Sequence, residues 1–92
     1  MKDVELLERI DFYRSQLEIQ GYAPVQFNDN DVPISISDKL SHARWMCEQM
    51  QTMLTNNEPQ EKIHRWLGFV QCCLWENQKF TIAELRQHMR LP

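Results

Sequence analysis

The stretch Arg65–Gln78, RWLGFVQCCLWENQ, carries two of the chain's three tryptophans, two adjacent cysteines and one of only two glycines. It reads as a reactive site, a metal site or the inside of a small protein, and helical periodicity favours the last. Ile63, Trp66, Leu67, Val70, Cys73 and Leu74 form one broad apolar face, and Phe69, Cys72 and Trp75 fill much of the remainder. Between Trp66 and Trp75 only Gln71 is strongly polar. A helix apolar nearly all round is expected to be buried at the centre of its domain. Gly68 and Cys72, four apart, leave one face small, which predicts close approach of a neighbouring helix. A glycine inside a helix costs about 1 kcal/mol against alanine, and close packing is the usual compensation. Glu58-Pro59 opens this element, since proline is tolerated in a first helical turn.

Working outward, Leu6, Ile10, Tyr13 and Leu17 recur at four, three and four, the stripe of an amphipathic helix. Val4, Leu7 and Phe12 lie off that stripe, so this helix is expected to meet more than one neighbour. Gly21 is its natural stop. Residues 22–37 break the pattern with Pro24 and Pro33, and Asn28-Asp29-Asn30-Asp31 reads as a turn. Ile34 and Ile36 alternate with Ser35 and Ser37 as a short extended piece. A second helix starts near Ser37 or Asp38, with Ser37 as its cap. Leu40, Ala43, Cys47, Met50 and Leu54 give it a heptad seam, widened by Met46 and Met53. Thr81-Ile82-Ala83-Glu84 is a capping box, with Phe80 and Leu85 as its hydrophobic staple.

The expectation is one all-α domain over residues 1–92, three longer helices plus a short C-terminal capped helix. The spans are helix 1–21, irregular connection 22–37, helix 38–57, central helix 58–78 and short helix 81–90. Two glycines in 92 residues are too few for the many tight turns of a small barrel or sandwich. The expected core is Leu40, Cys47, Met50, Leu54, Ile63, Trp66, Leu67, Val70, Cys73 and Leu74.

A net charge of −3 lacks the basic surplus that displaces phosphate counterions, so nucleic acid is not an expected partner. There is no run of about 18 apolar residues for a membrane span and no apolar signal-peptide core near the N-terminus. The expected location is therefore cytoplasmic. Three cysteines without such a signal argue against a disulfide framework.

Chemical signatures are sparse. In the Asn28–Asp31 cluster the glycine and glutamate of a calcium loop are missing; from Asn28 those positions hold Pro33 and Lys39. Cysteines and histidines lack the short paired spacings of structural zinc, and Cys47 and Cys73 read as small core hydrophobes. A Cys–His nucleophilic pair would need an exposed thiol of lowered pKa. Glu84 and His88, one turn apart, read as a solvated pair that suits the helix dipole. No cofactor, metal or enzymatic activity is expected.

One constellation carries more weight. His42-Ala43-Arg44-Trp45-Met46 and His64-Arg65-Trp66-Leu67 repeat an Arg-Trp step on two helices. In one reading each tryptophan anchors the core while its arginine covers the edge and pairs with Glu48 or Glu61. In the other, His42, Arg44, Trp45, His64 and Arg65 form a partner or ligand surface, since arginine beside tryptophan stacks on rings and holds carboxylate or phosphate.

The steps Ser41-His42-Ala43-Arg44-Trp45-Met46, Arg65-Trp66-Leu67-Gly68-Phe69-Val70-Gln71, Leu74-Trp75 and Thr81-Ile82-x-Glu84-Leu85 resemble a group of small phage and prophage proteins. The resemblance runs from Ser41 to Arg90. That group has a glycine after the glutamine, where this chain has Cys72. The resemblance implies no catalytic residues. It implies an accessory phage protein that acts in the bacterial host cytoplasm by binding a host or phage protein. The expected function is therefore non-enzymatic binding of a protein partner by a homodimer, since broad apolar faces on so small a chain favour pairing. The alternative is an oligomeric binder of a small anionic ligand or nucleotide through Arg44 and Arg65.

Overall fold

The computed structural model describes residues 2–28, 30–33 and 35–90. Four helices make up its regular structure: α1 (Asp3–Ile19), α2 (Ile36–Thr55), α3 (Gln60–Glu76) and α4 (Ile82–His88). No strand occurs among the described residues. The all-α reading, three longer helices and a short capped one, holds.

Each long helix ends in the same way. The amides of Gly21 and Tyr22 bond the carbonyls of Glu18 and Leu17; those of Asn57 and Glu58 bond Leu54 and Met53; those of Gln78 and Lys79 bond Trp75 and Leu74. These are Schellman ends, which satisfy the last free carbonyls through one left-handed residue. That residue is Gly21 (φ 89°) in α1, Asn57 (φ 56°) in α2 and Gln78 (φ 61°) in α3.

α1 and α3 run parallel, with α2 antiparallel between them. Asp3 at the start of α1 bonds Gln60 at the start of α3. Lys39 at the start of α2 meets Glu76 at the end of α3 at 3.1 Å. α2 packs against both of its neighbours, whereas α3 packs on α2 and α4. The central helix is thus α2 and not α3. The reason lies in its seam: Leu40, Ala43, Cys47 and Met50 are buried, as are Met46 and Met53, which widen the covered face enough to serve two helices. α1 contributes Leu6, Ile10, Tyr13 and Leu17, all fully buried, and α3 contributes Ile63, Leu67, Val70, Cys73 and Leu74.

Three further expectations need correction. Leu54 and Trp66, assigned to the core, are only half-buried and pack against its edge. No helix comes close to Gly68: nothing lies within 4 Å of where its Cβ would stand, and Cys72 is exposed. α2 begins at Ile36, two residues early, because Ser35 rather than Ser37 is the cap; its hydroxyl accepts the Asp38 amide at 3.1 Å. Ile36 and Ser37 are therefore helical instead of extended. Ile34, and Asp29 in the expected turn, lie outside the described residues.

α4 opens with the expected capping box, in which Thr81 accepts the Glu84 amide at 3.1 Å and Glu84 accepts the Thr81 amide at 2.9 Å. Phe80 and Leu85 both pack on the core. Phe12, off the α1 stripe, meets α4 with its ring 5.3 Å from that of His88 and also lies 5.8 Å from Phe80, just before the helix.

Candidate functional site

The connection between α1 and α2 folds back over the start of α2. Val25 donates its amide to the Ser41 carbonyl at 3.2 Å, and Phe27 donates its amide to His42 Nδ1 at 3.3 Å. Because Nδ1 accepts, the proton of neutral His42 sits on Nε2, which is left as a donor. These bonds set Phe27 edge-on to His42, with ring centres 5.8 Å apart. His42 stacks on Trp45 at 5.3 Å, and Trp45 meets Trp66 across α2 and α3 at 6.0 Å. The result is a continuous ladder of four rings drawn from three segments.

The ladder lines an open groove of about 510 Å³, with Met46 on its floor and Phe69 at its edge. A volume of this order suits a drug-sized molecule or a few side chains. The charged groups at its rim are engaged. Lys39 is held by Glu76, and Asp31 accepts the Asn28 amide at 3.0 Å. The groove therefore offers aromatic surface and one imidazole donor, with the Asp31 carboxylate at its rim.

Of the sequence candidates, His42 and Trp45 line this groove. Arg44 faces the other way and acts as a clasp. Its Nη1 donates to the Tyr22 carbonyl at 2.7 Å, and the guanidinium lies 3.4 Å from Glu48 and 3.8 Å from Glu18. Arg65 is exposed on α3 and His64 is half-buried, and neither lines the groove. The two arginines are not brought together. Phe27 escaped the sequence reading, and Phe69 was read there only as part of the apolar surface of α3. The only hint of Phe27 was an aromatic between Pro24 and Pro33 in an otherwise polar segment.

A second cluster was also missed. His88, expected on a solvated face, lies in a box of Phe12, Tyr13 and Phe80, with ring centres 5.3, 5.5 and 4.9 Å away. Gln71 Nε2 donates to the Tyr13 hydroxyl at 3.0 Å, and that hydroxyl lies 2.8 Å from His88 Nδ1. Burial and the nearby Arg9 guanidinium hold His88 below its ordinary pKa, with Glu84 acting weakly against them. Burial likewise pushes the Tyr13 phenol up.

The buried thiols show no activation. Burial raises Cys47 to about 12 and pushes Cys73 up. Among the described residues no three His, Cys, Asp or Glu side chains form a group that could hold a metal ion. No described helix is long and apolar enough to cross a membrane. No protein family, characterised protein or solved structure matches the chain.

Proposed function

We propose that this protein is a non-enzymatic binding module whose aromatic groove takes an apolar segment of a protein partner. The observation that carries this reading is the ring ladder Phe27–His42–Trp45–Trp66 beside an open groove whose one lysine, Lys39, is already paired. Aromatic and aliphatic anchors dominate protein interfaces when they fill such pockets. The His42 Nε2 proton is suited to a backbone carbonyl of that segment. Likeness to small phage and prophage proteins supports an accessory role in a bacterial cytoplasm, where the protein works as a homodimer. The alternative of an anionic ligand has less behind it. Arg44 is committed to Tyr22, Glu18 and Glu48 and shares no site with Arg65.

The test is selection of a displayed random-peptide library on the purified protein. Peptides with an aromatic or aliphatic anchor are expected, their binding weakened about tenfold or more by Phe27→Ala or His42→Ala. Selected peptides indifferent to both substitutions would overturn the reading. So would a nucleotide-induced thermal shift that Arg65→Ala removes.

A further inference from the structure

The outward face of α3 has a symmetry of its own. Arg65, Phe69, Cys72 and Glu76 follow at four, three and four, so they form one stripe along the helix. All four are exposed, Phe69 at 53%. Trp75, 49% exposed, flanks the stripe, and Gly68 beside it has open space in place of a side chain. This is the apolar side of α3 that neither α2 nor α4 covers. Phe69 and Trp75 lie about 120° apart around the helix, Phe69 beside the aromatic groove and Trp75 beside α4, so the apolar groups of the stripe itself are Phe69 and Cys72.

We propose that a second copy of this chain covers it, α3 against α3 and antiparallel, about a two-fold axis midway between Phe69 and Cys72. The inference rests on the dimer reading above and names its surface. In that arrangement Phe69 of each copy faces Cys72 of the other, and Arg65 of each faces Glu76 of the other. A two-fold interface must be self-complementary in this way. The stripe satisfies that condition because its spacing reads the same from both ends while its terminal charges are opposite. Parallel pairing would set arginine on arginine and glutamate on glutamate. Arg65 has no ion-pair or hydrogen-bond partner among the described residues. Glu76 is bonded to Lys39 through one oxygen, and a carboxylate has room for further donors. Gly68 lets the two backbones approach closely.

The deciding experiment is sedimentation velocity over a dilution series of the full chain, with circular dichroism confirming that each variant is folded. The wild type is expected to form a dimer that dissociates on dilution. Arg65→Glu, and Glu76→Arg, which also releases Lys39 at the groove rim, are each expected to raise the dissociation constant about tenfold or more. The double reversal R65E/E76R is expected to restore pairing. A wild type that stays monomeric throughout overturns both the dimer reading and this interface. A wild-type dimer that ignores the single reversals, or is not rescued by the double one, overturns this interface and leaves the dimer reading standing.

Discussion

The hydroxyl of Tyr13 lies 2.8 Å from Nδ1 of His88, a bond that spans 75 positions of the chain and ties the last helix to the first. Gln71 donates to the same hydroxyl, so the phenol proton is directed at the imidazole. Neutral His88 is the form that can accept it. Tyr13 is fully buried, and the rings of Phe12 and Phe80 complete the setting.

Stability is expected to fall on acidification through His88. A histidine held below its ordinary 6.5 in the fold takes its proton more readily in the unfolded chain. Its contribution is therefore complete above pH 6.5 and is lost as pH drops through 6.5 towards the depressed native value. Carboxylates also titrate at lower pH, so the comparison is with His88→Phe. Urea denaturation between pH 7.5 and 5.5, a range of about two units around the histidine value, is expected to show a steeper loss for the wild type. Equal slopes would remove His88 from the acid response.

Tyr13→Phe removes a hydroxyl that serves two partners. Gln71 and His88 would each be left with an unmatched polar atom near the core. The expected cost is about 1–3 kcal/mol, read as a lower urea midpoint. A neutral outcome would mean that water replaces the hydroxyl.

Gln78→Gly is expected to stabilise the protein. Gln78 occupies the left-handed position at the end of α3 at φ 61°. That region costs an ordinary residue about 1–2 kcal/mol, and glycine gives back part of the gain through a freer unfolded chain. The net is roughly 0.5–1 kcal/mol, a rise in Tm of about 2–8 °C for a domain of this size. Asn57→Gly should gain less, since asparagine tolerates the conformation better.

Arg44→Ala is expected to cost about 1.5–3 kcal/mol, the range for a hydrogen bond involving a charged group. The substitution frees the Tyr22 carbonyl and leaves Glu48 without its cation, while Glu18 keeps Arg14. Faster amide exchange at Val25 and Phe27 would show that the clasp holds the connection on α2. Unchanged exchange there would confine its role to the helices.

A thiol reagent under native conditions, at a dilution where the chain is monomeric, is expected to label Cys72 alone. Cys72 is exposed, whereas Cys47 and Cys73 are buried with thiols that resist ionisation. All three should react in urea. Rapid native labelling of Cys47 would reveal an opening of the α1–α2 seam.

Much of this fold is legible along the chain because helix formation and termination are local. The α1 stripe Leu6, Ile10, Tyr13 and Leu17 is buried as its spacing requires. Gly21 and the Thr81–Glu84 box mark ends that a few neighbouring backbone groups determine. Within the candidate surface, His42 and Trp45 were visible as part of the repeated Arg-Trp step on α2. Phe27 was not, because a backbone bond to His42 and another at Val25 bring it there from outside any helix.

The amino-acid sequence by itself determined that there are four helices, where they end and which face of each is apolar. Each of these follows from side-chain periodicity and backbone capping within a few residues. Only the tertiary structure decided which apolar faces are covered. It placed α2 rather than α3 in the middle, left Phe69 and Trp75 in the open, and enclosed His88 against Tyr13. A helix cannot specify alone how many neighbours share its apolar surface, because burial depends on where distant segments come to rest.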